Sequence, residues 1–218
     1  MSFESYQKKF SSKTRSTISR KVRKYAEHCG GTVAWKTYAM PDEMHEFFLL
    51  ARAVSQKTYQ ERLLDAGIPD TEDFIAHAES LAAEQRVRAY LLFDGERPVS
   101  YLYCPVHDGV LTYAYLGYDP DYMNMSVGTV LQWLAVEQLF REGRFRYFDF
   151  TEGQSEHKRL FATHERQCAN VFLVRRTLGN TMLVYSHLGM ERFSKWLGAT
   201  LERFGIKAKI KQFLRFGK

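Results

Sequence analysis

Apolar positions along this chain recur at two spacings, and the alternation between them predicts the order of elements. Residues 11–28 form a helix candidate, with Ser and Thr at its start for capping and Ile18, Val22 and Ala26 four residues apart on one face. Gly30 and Gly31 stop it, and residues 32–38 alternate as a strand. Pro41 then opens a helix to about residue 56, whose Met44, Phe47, Phe48, Ala51 and Val54 form an apolar stripe. A second helix runs over 71–85, with Thr71 as N-cap ahead of Glu72 and Asp73. Between residues 86 and 118 three β-rich runs are divided by Asp94-Gly95 and Asp108-Gly109, which supply the left-handed backbone of tight hairpins and predict a three-stranded antiparallel meander. Pro105 cannot donate to a ladder, so it marks a strand end, an edge or a bulge. A long apolar helix follows from about residue 126 to Gly143, then a strand over 144–150, a loop and short helix over 151–161, a last strand over 170–176, and an amphipathic helical remainder.

This order predicts an α/β fold with a mixed, mostly antiparallel sheet flanked by helices. At 218 residues the chain fits one domain, read as 1–178, with a basic helical extension over 179–218 packed on it. An apolar content of 45% is enough for a core, yet no run is long enough to span a bilayer and the first residues lack a secretory apolar segment, so a cytoplasmic location is expected. Cys29, Cys104 and Cys168 are odd in number and widely separated, and no His pair has ligand spacing, so neither a disulfide framework nor a metal site is expected. The net charge of +6 is unevenly placed: residues 1–30 and 191–218 each carry eight Lys/Arg against two Asp/Glu, around an acidic body. Basic ends suit a nucleic acid, an anionic lipid surface or an anionic substrate, or simply two solvated helices.

Where the third meander strand leads through a Ser/Gly turn into the long helix, the first amides of that helix lack intrahelical acceptors. Ser126, Val127, Gly128 and Thr129 are therefore expected to offer a cluster of N–H groups to an anion, with Gly128 leaving room for a diphosphate.

The element order, and above all the run GYDPDYMNMSVGTVLQWLAVEQLFREGRFRYFDFTEGQSEHKRLF over residues 117–161, resembles the GNAT acyltransferases. Its segment FDFTEGQSEHKRLF looks like the CelD-like branch of cellulose and exopolysaccharide biosynthesis, itself similar to FemAB-type transferases. The resemblance implies an acetyl-CoA or other acyl-CoA co-substrate and no metal. It places Tyr115, Leu116, Gly117 and Tyr118 along the pantetheine arm and Ser126 to Thr129 at the CoA pyrophosphate. In the family's phosphate-binding pattern an Arg or Gln comes first and Gly third from it; here Met123 and Ser126 hold those places, and Gly128 alone matches. The acceptor implied is a small-molecule or sugar-linked amine or hydroxyl.

For the general base, Asp149 is the first candidate, at the end of a strand beside the expected donor groove, where burial would raise a carboxylate pKa; its alternative role is to cap the next turn. Glu152 and His157 are the other candidates. Lys158, five residues after Gly153 as in the family, binds an anionic substrate group or steadies the loop. Of the basic residues in the first helix the resemblance favours Arg15 as an acceptor ligand, and Tyr59 is placed at the acceptor by position after the helix that Pro41 opens. Two further readings stand beside acyl transfer from CoA: a FemAB-type enzyme using aminoacyl-tRNA, and a non-catalytic GNAT-like domain making peripheral contact with the inner face of a membrane through residues 191–218, where Phe193, Trp196 and Leu197 are mixed with Lys and Arg.

Overall fold

The computed structural model describes residues 2–58, 61, 67–153, 155–169 and 171–203, without the side chains of 201 and 202. They fall into two compact units, Met1–Thr163 and His164–Lys218.

In the first unit, helix α1 (Phe3–Gln7) precedes α2 (Ser12–His28), whose N-cap Ser11 accepts the Thr14 amide. Ile18 and Tyr25 are the buried residues of α2, and the Tyr25 hydroxyl donates to the Phe93 carbonyl at 2.9 Å. Strand β1 (Ala34–Tyr38) leads to α3 (Pro41–Ser55), which buries the predicted stripe. Helix α4 (Glu72–Ala83) starts at Thr71, whose side chain accepts from Phe74 N. Strands β2 (Val87–Asp94) and β3 (Arg97–His107) form the first hairpin of the meander, and β3 turns through Asp108 and Gly109, at φ +49° and +75°, into β4 (Val110–Thr112). Positive φ at both central residues is what that turn demands, and Asp-Gly meets it.

The predicted third strand is not continuous. It breaks at Tyr113–Ala114 into β4 and β5 (Tyr115–Tyr118). A 3-10 turn (Pro120–Met125) then leads into α5 (Val127–Glu142), capped by Gly143 at φ +64°. Strand β6 (Tyr147–Asp149) is shorter than the 144–150 expected, and α6 (Glu156–Phe161) follows. The sheet runs β1-β2-β3-β4-β6, with β5 also on β3; β4–β6 is the parallel pair and the others are antiparallel.

Strands β2 and β3 are buried on both faces. One face carries Ala89, Leu91, Tyr101 and Tyr103 against Phe47 and Phe48 of α3. The other carries Tyr90, Leu102 and Cys104 against Tyr25 of α2 and Val127, Val130 and Leu131 of α5. Each such side chain contributes roughly 1.5–3 kcal/mol relative to exposure, so the layers clamp β3 and α5 and hold what lies between them. A third cluster joins Tyr6, Phe10, Ile18, Val136 and Phe161, fixing α6 to α2 and α5.

In the second unit, helix α7 spans Leu178–Arg203. The strand expected at 170–176 is not formed over residues 171–176: β-pattern alone makes no strand without a neighbouring edge to pair with. No helix among the described residues is long and apolar enough to cross a membrane.

Candidate functional site

The break in the third strand positions everything else. Tyr113 N donates to Asp149 O at 2.8 Å, the last bond toward β6, and Ala114 N donates to Tyr103 O at 3.2 Å, where pairing with β3 resumes toward β5. Tyr103 also faces Tyr115, so Ala114 is the extra residue of a bulge. Pro105 lies opposite Val87 in β3, between the stretches of β3 that pair with β5 and with β4, so its missing N–H costs no bond. Beyond the bulge β5 stays with β3 and parts from β6. Asp119 N donates to Val99 O, and the alternation of an antiparallel pair then turns Tyr115 and Gly117 toward β3 and leaves the N–H and C=O of Leu116 and Tyr118 on the open edge.

The mouth of α5 offers fewer free amides than expected. Ser126 N donates to Met123 O at 3.1 Å, and Thr129 N to Ser126 O at 2.8 Å. Among the described residues the amides of Val127 and Gly128 are left without a backbone acceptor. Ser126 adopts φ +54° with no capping bond from its side chain, a left-handed turn that glycine enters without strain; this is the position where the family pattern has glycine. A Cβ on Gly128 would meet Leu116 and Tyr118 at 3.6 Å, so the helix mouth lies directly against β5. Asp119, 1% exposed, pins the approach: Lys57 donates to it at 2.8 Å and Arg97 at 2.6 Å. Burial works to raise the Asp119 pKa, but these hydrogen bonds outweigh it and hold the carboxyl below its usual range.

A cavity of about 500 Å³ occupies the gap, a size that suits a small-molecule site. Tyr115, Leu116, Tyr118, Ser126, Val127, Gly128, Thr129 and His157 line it, bringing together most of the residues singled out from sequence. Met123, which holds the first place of the family's phosphate pattern, lines it too, as does Thr58, next in sequence to the expected acceptor position; Tyr101, Tyr113, Ala114 and Ser155 were not foreseen. Tyr101 and Tyr115 belong to the α3 side of the sheet, Leu116, Tyr118 and Val127 to the α5 side, so the cavity passes through the sheet at its split.

Gly117, Asp149, Glu152, Lys158 and Arg15 are not on its wall, and Tyr59 lies outside the described residues. Gly117 packs under the Tyr101 ring, which leaves no room for a Cβ. Asp149 is exposed and accepts the Thr151 amide at 2.8 Å, the turn-capping alternative. Glu152 is exposed, and its carbonyl accepts from Lys158 Nζ, which also donates to Thr151 Oγ1 at 3.1 Å. Lys158 therefore steadies the 151–153 loop. Arg15 is exposed on α2, three residues before the buried Ile18.

His157 is the candidate base that reaches the cavity. Its helix is capped by Ser155, which accepts Lys158 N, and its ring packs between Tyr113 and Phe161, with centroids 6.3 and 5.1 Å away. Nε2 is buried without a hydrogen-bond partner among the described residues. Burial first, then the charges of Lys21 and Lys158, pull its pKa down to about 4, so the imidazole is neutral at physiological pH with an unshared lone pair.

The profile of the acetyltransferase (GNAT) domain matches residues 12–159, more than half of the chain and all the elements that build this site. Among solved structures the chain is similar to an aminoglycoside acetyltransferase from an uncultured soil metagenomic sample in complex with sisomicin (15% identity over 66% of this chain and 97% of that one, TM-score 0.46). It is similar also to the aminoglycoside 6'-N-acetyltransferase AAC(6')-Ih from Acinetobacter baumannii (13%, 67% and 100%, TM-score 0.44) and to the C-terminal domain of a putative lysylphosphatidylglycerol synthetase from Agrobacterium fabrum (11%, 68% and 45%, TM-score 0.46). A search of curated proteins found no match. The matched profile, spanning the split sheet and the helix mouth, makes this chain a member of the GNAT acetyltransferases, enzymes that take their acyl group from acyl-CoA.

Proposed function

We propose that the protein moves an acetyl or longer acyl group from acyl-CoA to an amine or hydroxyl of a small or sugar-linked acceptor, with His157 as the base. The observation that carries this is the cavity through the split sheet, which joins the free amides of Val127 and Gly128 to a buried neutral imidazole.

The donor's diphosphate would sit on those two amides, where the helix dipole favours an anion. Its pantetheine arm would lie along β5 and pair with the outward groups of Leu116 and Tyr118, as an added strand would. A β5 amide facing the thioester carbonyl stabilises the charge that develops on its oxygen. The acceptor would enter from the side of Thr58 and Tyr101.

As the new C–N or C–O bond forms, the attacking atom becomes strongly acidic, so even a base with a pKa near 4 can take its proton on the imidazole. The C–S bond breaks and sulfur leaves with the electron pair. Tyr113, on the cavity wall beside His157, is placed to give sulfur its proton and to recover one from the imidazolium. Burial raises the Tyr113 pKa, which keeps the phenol protonated until the thiolate forms. The likeness of residues 148–161 to the CelD-like branch supports an acceptor in exopolysaccharide or cell-envelope synthesis. Tyr101, Tyr113, Tyr115 and Tyr118 offer flat apolar faces with polar tips to a sugar-linked molecule. Acyl-CoA as donor supports a cytoplasmic place of action.

Thermal unfolding tests the donor. CoA or acetyl-CoA at 100 times its Kd should stabilise the protein by about 2.7 kcal/mol, read as a rise in Tm. A flat response to CoA, acetyl-CoA and long-chain acyl-CoA, with a rise on charged tRNA, would replace this reading by aminoacyl transfer.

A further inference from the structure

The helix mouth brings little positive charge of its own. Its wall residues Met123, Ser126, Val127, Gly128 and Thr129 include no cation, and two of its four expected amides are taken by the turn. A diphosphate carries about two negative charges there, and two amides are thin compensation.

We infer that Lys24 and Lys21 of α2 grip the donor's diphosphate, supplying from a helix that precedes the sheet the charge that the α5 mouth lacks. The inference rests on the reading of the cavity as the donor site.

Two contacts set the direction of α2 against α5. Ile18 shares a cluster with Val136, and Lys24 Nζ donates to Asn124 O at 3.1 Å. Climbing α2 therefore means descending α5 toward its N-terminus, and Lys24 arrives two residues before Ser126. Lys21 is one turn behind Lys24 on the same face. Lys24 thus stands beside the approach to the α5 mouth, with Lys21 one turn further back, both outside the cavity wall.

Neither lysine is paired with a carboxylate among the described residues, whereas Arg23 between them meets Glu27. Lys24 spends one donor on a neutral carbonyl, which orients it without cancelling its charge, and keeps two. Arg15, nine residues earlier, stands about 13 Å back along the helix axis and has no such relation to the mouth.

The test compares donors that do and do not carry the diphosphate. By titration calorimetry, Lys24→Ala should weaken CoA binding about tenfold and the Lys21→Ala/Lys24→Ala pair further. Dephospho-CoA, which keeps the diphosphate, should suffer the same loss. With acetyl-pantetheine, which lacks it, kcat/KM of Lys24→Ala should change less than twofold, and Arg23→Ala should leave all three unaffected. Equal CoA affinity in the lysine variants, an equal loss with acetyl-pantetheine, or a loss that vanishes with dephospho-CoA would each overturn the assignment. Wild-type protein that binds no CoA at all would instead bring down the donor reading beneath it.

Discussion

Asp149 Oδ1 accepts the backbone N–H of Thr151 at 2.8 Å, two residues further on. That bond secures a turn in which Thr151 itself takes φ +60°, a strained value for a β-branched residue. Asn can accept the same bond, so Asp149→Asn should keep kcat within about threefold, whereas Asp149→Ala should cost roughly 1 kcal/mol of stability in denaturant titration, the scale of a lost cap. A hundredfold fall in kcat for the Asn variant would restore the carboxylate to the chemistry.

His157 carries the opposite expectation. Replacing it by Gln should lower kcat about 10²–10³-fold, the usual worth of a positioned base, with CoA affinity unchanged. Unaltered turnover would remove the imidazole from the mechanism.

The same residue gives the stability a sign. With its folded pKa near 4, below the ordinary 6.5, the unfolded chain binds the extra proton first. His157 thus favours the fold fully above about pH 6.5, and this contribution declines as pH falls, until about pH 4. The stability difference between pH 7 and pH 5 should shrink in His157→Phe; an identical difference would mean that the imidazole is not held neutral.

Two glycines near the cavity should respond differently to a methyl group. A Cβ on Gly117 would collide with the ring of Tyr101, which is 3% exposed and tied to Ser55 at 3.3 Å. Gly117→Ala should therefore cost about 1–3 kcal/mol. Gly128→Ala meets ordinary 3.6 Å contacts and should leave stability unchanged or improved by up to about 1 kcal/mol. Gly128→Asp, with a carboxylate beside the two free amides, should weaken CoA at least tenfold by calorimetry, and normal affinity would place the diphosphate elsewhere.

Local signals were legible wherever the chain's own neighbours decide the outcome. Ser11 and Thr71 cap their helices, the Pro41 helix buries its predicted stripe, and Asp108-Gly109 makes its tight turn. The family was legible as well, because element order and the 117–161 run survive without knowledge of contacts. The bulge was not: the residues from Val110 to Tyr118 read as one β-rich run, and Pro105, the sign of an irregularity, sits in the strand opposite.

Among the candidate bases, Asp149, Glu152 and His157 belong to one polar stretch that spacing cannot rank. Phe161 docking onto Ile18 and Val136 turns the His157 face of α6 inward and leaves the two carboxylates in solvent. Lys24 and Asn124 are a hundred residues apart and meet because two helices pack antiparallel. By itself, then, the sequence determined the described helices from residue 12 onward, the Asp108-Gly109 turn and the family, since propensity, capping and periodicity act over a few residues. Tertiary structure alone decided where the strand parts from β6, which amides stay free and which candidate base reaches the cavity, because hydrogen-bond partners and burial are conferred by segments far away in the chain.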